Sequence, residues 1–196
     1  MPNHLCPICK DSATVGAVLC HSCPQHQSAL RRSLTPVYPL AFFSRTDPLR
    51  DYLHHYKDDT HPDQLEATHA LDEHIATTWP NLDLPIVVVP STKTDCTHLA
   101  ELINNHFQIA PLFSLRATQH APERPRVARP TLFTITGTPP SGPVLLVDDA
   151  YVTGSTAQSA AHTLTSKGVD IAAIVALGRR INPEHAPNHP HTQLDR

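Results

Sequence analysis

A chain of 196 residues that is 40% hydrophobic and 5% aromatic has room for one α/β domain plus a small appendage, with a core that aliphatic side chains must fill. No apolar run approaches the ~20 residues of a membrane span. The Met1-Pro-Asn-His-Leu-Cys start lacks the basic-then-apolar pattern of a secretory signal, so a cytoplasmic protein is expected. The net charge of −3 is uneven, with four basic and eleven acidic residues over 34–115 and four basic and one acidic over 116–143. No long basic run exists, so electrostatics alone gives no argument for nucleic-acid binding.

In chain order, residues 1–33 come first as a cysteine segment. Cys6-Pro-Ile-Cys9 and Cys20-His-Ser-Cys23 form two C-x₂-C pairs separated by ten residues. Four thiolates in two such knuckles fit a tetrahedral Zn²⁺, and cysteines in a cytosolic chain point to metal or thiol chemistry more than to disulfides. A segment this short cannot build its own core, so a structural metal is expected to hold it together. His21 and His26 are alternative ligands, but a Cys₄ set is simpler. The module could contact DNA, bind a protein partner or brace the rest of the fold. Cys96 remains outside the set and reads as a helix-start cysteine.

Two prolines suppress helix in Thr35-Pro-Val-Tyr-Pro, which reads as a linker or strand entry, and Leu40-Ala-Phe-Phe as a short strand. Leu49, Tyr52, Leu53 and Tyr56 fall at helical spacing, as do Leu71, Ile75 and Trp79, with Asp63 as the expected cap of that second helix. Ile86-Val-Val-Val is a continuous β-branched run, suited to a strand buried on both faces. A helix follows over Leu99, Leu102, Ile103 and Phe107. Leu112 to Leu115 and Thr131 to Ile135 are weaker strands. Val144-Leu-Leu-Val is a second buried strand, Thr156 to Lys167 a helix stopped by Gly168, and Ile171 to Leu177 a third buried strand. Strands alternating with helices predict an α/β fold with a parallel twisted sheet flanked by helices and right-handed crossovers.

The chemistry concentrates in Val144-Leu-Leu-Val-Asp-Asp-Ala-Tyr-Val-Thr-Gly-Ser-Thr. A buried strand ends in Asp148 and Asp149, a short turn of Thr153, Gly154, Ser155 and Thr156 follows, and a helix begins. Ligands of open α/β sheets bind beyond the carboxyl ends of the strands, and a helix N-terminus offers free N–H groups to a phosphate. Gly154 lets the backbone approach an anion, and the three hydroxyls add donors. The carboxylates repel a phosphate but accept from vicinal hydroxyls or hold hydrated Mg²⁺. A sugar phosphate with a free diol meets all these demands. Neither G-x-x-x-x-G-K-[ST] nor G-x-G-x-x-G occurs.

This stretch closely resembles the thirteen-residue signature of type I phosphoribosyltransferases. The resemblance implies that Asp148 and Asp149 bind the ribose hydroxyls of 5-phosphoribosyl 1-diphosphate (PRPP) and that Thr153 to Thr156 cradle its 5′-phosphate. It extends to the ComF-like branch, which has an N-terminal cysteine module, a helix like Leu49-Arg50 to Tyr56-Lys57, a strand ending in Val-Pro, and an Arg…Gln…Arg stretch matched by Arg116, Gln119 and Arg124. On this reading residues 1–33 are a Cys₄ zinc-binding module and residues 34–196 a phosphoribosyltransferase-like domain. The chain departs from that branch at Ser91-Thr-Lys-Thr-Asp-Cys-Thr, where an Arg-Gly-Phe-Asn-Gln run is usual, so the branch's acceptor preference is not carried over.

The resemblance further implies that the turn of Ser91, Thr92, Lys93 and Thr94 binds the leaving diphosphate, with Lys93 as its charge partner. Arg116, Gln119 and Arg124 would belong to a mobile lid, where basic side chains neutralise diphosphate and exclude water. The expected reaction is displacement at the anomeric carbon, assisted by Mg²⁺, with an acceptor the sequence does not name. A PRPP-binding regulatory or DNA-uptake accessory protein without turnover is the alternative.

Overall fold

A computed structural model describes residues 5–13, 17–79, 84–91, 98–107, 113–118, 126–138 and 140–181. The elements are α1 (Ser22–Leu30), β1 (Val37–Pro39), β2 (Phe42–Phe43), α2 (Pro48–His55), α3 (Gln64–Thr78), β3 (Ile86–Val88), α4 (His98–Asn104), β4 (Phe113–Ala117), β5 (Phe133–Gly137), β6 (Pro143–Tyr151), α5 (Ser155–Ser166) and β7 (Asp170–Arg180). The main sheet runs β1-β7-β6-β3 with every pair parallel, and β2 continues the outer edge along β7. The fold is therefore α/β with a mostly parallel sheet, as the alternating strand and helix pattern predicts.

Alternation within the central strands explains why helices cover both faces. Val144 and Leu146 of β6 point to the side of α1 and α5, while Leu145 and Val147 point to the side of α2, α3 and α4. All four are completely buried. Continuous apolar runs of this kind leave neither face for water, and each such side chain contributes about 1.5–3 kcal/mol on burial. On α5, Ala157, Ala160, Ala161 and Leu164 face inward. Small residues there let the helix lie close against the sheet.

Local chemistry sets the element ends. Asp47 caps α2 by accepting from the Leu49 amide at 2.9 Å, and Pro48 takes the first turn, where no N–H is needed. Gly168, with φ +82°, ends α5 as its C′ residue. Asp63 does stand at the head of α3, but its side chain makes no cap hydrogen bond. Its φ and ψ of −92° and 10° depart from the extended geometry that aims a capping oxygen at the first turn.

Three features differ from the expected pattern. First, β4 and β5 pair antiparallel in a separate two-stranded sheet. Second, β6 runs through Tyr151, so both acids lie within the strand, with Asp148 opposite Ala176 of β7. Third, α1 forms inside the cysteine segment, burying Cys23, His26 and Leu30 on one face. The cysteines share one buried cluster with Leu34, Val37, Leu146 and Tyr151, so the cysteine segment is packed against the sheet.

Candidate functional site

Parallel pairing aligns the carboxyl ends of the strands on one edge. Val88 of β3 stands opposite Val147 of β6, and Val89 donates to the Val147 carbonyl at 2.8 Å. The continuation of β3 to Ser91 therefore runs beside Asp148 and Asp149. Ser91 is the only member of the Ser91–Thr94 turn among the described residues; Thr92, Lys93 and Thr94 lie outside them, as does Cys96.

The two acids are in different electrostatic states. Asp149 is 8% exposed, and its Oδ2 accepts from the Tyr56 hydroxyl at 2.9 Å and forms an ion pair with Lys57. Its Oδ1 accepts from the Ala150 amide at 2.6 Å. Burial alone would raise the Asp149 pKa, but Lys57 and these hydrogen bonds outweigh it and hold the carboxyl below its usual value. Asp148 is 9% exposed, and its Oδ1 accepts from the Asp149 amide at 3.1 Å. Burial, and then the neighbouring Asp149 charge, push it up to about 8. At neutral pH the pair thus holds one firm negative charge and one proton that an arriving cation or hydroxyl pair can replace. Carboxylates are also the oxygen donors that a hard divalent cation takes.

The turn after β6 depends on Gly154. Its φ of +86° lies in the left-handed region, and it occupies the N-cap position of α5 without a capping side chain. Thr153 Oγ1 donates to Ser155 Oγ at 3.2 Å and accepts from the Ser155 amide at 3.3 Å. Thr153, Gly154, Ser155 and Thr156 are thus gathered at the start of a twelve-residue helix, beside the acids.

The cysteine site is built from two facing knuckles. Cys6 and Cys23 sulfurs are 3.7 Å apart, Cys9 and Cys20 sulfurs 3.4 Å, and all four lie within 4.8 Å of one another. Disulfide sulfurs would be ~2 Å apart. A tetrahedron of thiolates about 2.3 Å from Zn²⁺ has edges of about 3.8 Å, so the residues fit that ion. Contact with Cys20 lowers the Cys6 pKa and contact with Cys23 brings Cys20 down to about 7, while contact with Cys20 raises both Cys9 and Cys23. Four thiolates cannot ionise together there without a cation.

A buried arginine joins this cysteine site to the end of β6. Arg179 is 2% exposed. It donates to the carbonyls of Cys9 at 3.2 Å, Tyr151 at 2.8 Å and Arg180 at 2.9 Å, and to Asp11 Oδ2 at 2.7 Å. Its guanidinium also stands 5.1 Å from the centre of the Tyr151 ring and 3.9 Å from Cys9 Sγ. Burial opposes the charge, but Cys9 and Asp11 outweigh it and keep the group protonated. A Zn²⁺ with four thiolates carries a net −2, which this cation partly offsets.

The remaining sequence-derived residues fall as follows. Arg116 sits within β4 opposite Thr134, so it belongs to a strand. The ladder is prolonged past it, because the Thr118 amide donates to the Leu132 carbonyl at 2.9 Å. Gln119 and Arg124 lie outside the described residues. Tyr56, Lys57 and Arg179 received no site role from the sequence, since the contacts that define them span 92 to 170 residues. A cavity of about 380 Å³ opens between α5 and β5, lined by Thr118, Phe133, His162 and Lys167 among others, away from the acids.

A second grouping, His55, His61 and Asp63, brings possible ligand atoms within 4.8 Å of one another. Its two rings stack at 3.8 Å and 14°, which keeps their in-plane lone pairs in separate, nearly parallel planes, and His61 Nδ1 already accepts from the Asp63 amide at 3.2 Å. That arrangement is a stacked surface pair, not a convergent metal site.

Among known proteins, no family model matches this chain and no curated protein matches its sequence. Among the described residues, no helix is long and apolar enough to cross a membrane.

Proposed function

We propose that this protein binds PRPP with Mg²⁺ at the Asp148–Thr156 turn and transfers its phosphoribosyl group to an acceptor, and that Cys6, Cys9, Cys20 and Cys23 hold a structural Zn²⁺. The observation that carries the reading is the juxtaposition of two unlike acids in the carboxyl-terminal half of β6 with a glycine-hinged turn at the start of α5. A diol and a phosphate on one ligand would use both halves.

In this reading Asp149, fixed by Lys57 and Tyr56, accepts from one ribose hydroxyl, and Asp148 gives up its proton on binding. The turn amides and the hydroxyls of Thr153, Ser155 and Thr156 receive the 5′-phosphate. Mg²⁺, when bound, would offset the charge of the departing diphosphate. The acceptor's nucleophilic atom forms a bond to the anomeric carbon while the bond to the diphosphate oxygen breaks, its electron pair leaving with diphosphate. Lys93, Thr92 and Thr94 would steady that group, and Arg116, Gln119 and Arg124 would serve as the lid that the resemblance implies. The chain's contribution is positioning and charge stabilisation.

Calorimetric titration of the zinc-loaded protein with PRPP and Mg²⁺ tests the reading. Wild type should bind, and the Asp148→Asn/Asp149→Asn variant should lose binding. No binding by folded wild type would overturn it. Binding without diphosphate release across a panel of nitrogen and oxygen acceptors would make the protein a PRPP-responsive regulator in place of a transferase.

A further inference from the structure

His26 is completely buried, and both of its ring nitrogens are used. Nδ1 accepts from the Ala128 amide at 3.1 Å. A backbone N–H can only donate, so the proton of the neutral ring is on Nε2, which donates to the Thr153 carbonyl at 2.7 Å. The ring therefore reaches 127 residues along the chain to the first residue of the turn and 102 residues to the segment that carries Arg126 and Arg129.

The Thr153–Gly154 peptide is where such a contact has most effect. A peptide plane flips by opposite changes in the ψ before it and the φ after it, and glycine accepts either sign of φ at no steric cost. Gly154 thus gives the turn two orientations of nearly equal local energy. In a trans peptide the carbonyl and the next N–H point in opposite directions. Holding the Thr153 carbonyl against α1 turns the Gly154 N–H away from α1 and selects the orientation with φ +86°.

The anchor of that contact is the cysteine site. Cys23 and His26 lie one turn apart on the buried face of α1. This helix has nine residues and no side-chain cap, too short to persist alone in water. Its position depends on the knuckle that supplies Cys20 and Cys23.

We infer that His26 is a positioning residue that sets the Thr153–Gly154 peptide, and that it thereby makes ligand binding at the turn depend on metal occupancy of the four-cysteine site. The ligand part of this inference rests on the function proposed above; the peptide part does not.

Two substitutions separate the two bonds. His26→Gln keeps a donor N–H near the Nε2 position, and His26→Asn keeps an acceptor near the Nδ1 position. Each variant is measured for bound zinc, for PRPP–Mg²⁺ affinity by calorimetry, and for amide hydrogen exchange at Gly154 and Ser155. Expected for His26→Asn is one zinc per chain, PRPP affinity lower by about tenfold or more, and Gly154 exchange faster by a similar factor. His26→Gln should stay within about threefold of wild type on both counts. Chelation of zinc from wild type should speed Gly154 exchange before global unfolding.

Equal losses in the two variants would overturn the inference, as would a Gly154 exchange rate that ignores both His26→Asn and chelation. Should His26→Asn fail to fold, the exchange rate in His26→Gln decides: wild-type-like supports the donor role, and accelerated overturns it. If wild type itself binds no PRPP, the proposed ligand is wrong, while the exchange comparison still judges the role of His26.

Discussion

The Tyr151 phenol lies directly under Gly154, so close that a Cβ at position 154 would overlap its hydroxyl. Tyr151 is itself held from below by the Arg179 guanidinium and accepts from Gln158 Nε2 at 3.3 Å. The turn is therefore seated on a fixed ring, and its glycine answers both a backbone and a packing demand. Gly154→Ala should cost about 1–2 kcal/mol for the left-handed φ alone, plus displacement of the turn from the ring. Far-UV circular dichroism should keep its shape, the melting temperature should fall by several degrees, and PRPP affinity should drop at least tenfold. Wild-type affinity in this variant would remove the turn from the site.

Asp148 carries a pH signature. Its ordinary value of 3.8 is raised to about 8 in the fold. The folded state thus binds more protons than the unfolded state between those values, and stability falls as pH rises through that window. Asp148→Asn has no proton to lose. The variant should match wild type near pH 3–4, where Asp148 is protonated in both folded and unfolded states, and gain on it as pH rises to 8, by several kcal/mol on the scale of about 1.4 kcal/mol per pH unit. Thermal scans at the two pH values check this. The same variant should bind PRPP poorly, a stability gain bought with function.

Lys57 and Asp149 should show coupling. Lys57→Met leaves a buried carboxylate without its cation, whereas Lys57→Met/Asp149→Asn removes both charges. Lys57 is partly exposed, so the coupling energy should be modest, about 1 kcal/mol. Urea unfolding of wild type, Lys57→Met, Asp149→Asn and the double variant measures it. Additive effects would show that the ion pair contributes nothing to the fold.

Zinc removal should act on the whole molecule, because the cysteines are part of the central buried cluster. Chelation, or Cys9→Ser, should lower the melting temperature by 10 °C or more, on the scale of ~2–4 °C per kcal/mol. Arg179→Leu should cost about 3–5 kcal/mol, through the orphaned carbonyls of Tyr151 and Cys9 and the unpaired Asp11. Arg179→Lys should recover little, since one ammonium cannot reproduce the fork of donors. A metal-free protein as stable as the zinc-loaded one would show that the cysteines serve another purpose.

The sequence by itself determined the units that depend on local pattern. The apolar runs of Ile86–Val88 and Val144–Val147 specified strands buried on both faces, because only a sheet covered twice hides such runs. The C-x₂-C spacing specified two knuckles, since each loop geometry is set within four residues. Asp148, Asp149 and Gly154 were legible as acids and a glycine between a buried strand and a helix start, although the strand itself runs on to Tyr151. Tertiary structure alone decided which acid is charged, because that depends on Lys57 and Tyr56, brought beside Asp149 by the packing of α2 on β6 and β7. It also decided that the cysteine segment reaches the turn, through the hydrogen bond from His26 to the Thr153 carbonyl. Arg179 and His26 reach their partners across more than a hundred residues, and no local periodicity encodes a contact of that range. Cys23, His26 and Leu30 did carry a helical spacing that marks α1, but a helix of nine residues gains its stability from what it packs against, and the packing partner appears only when the sheet has formed.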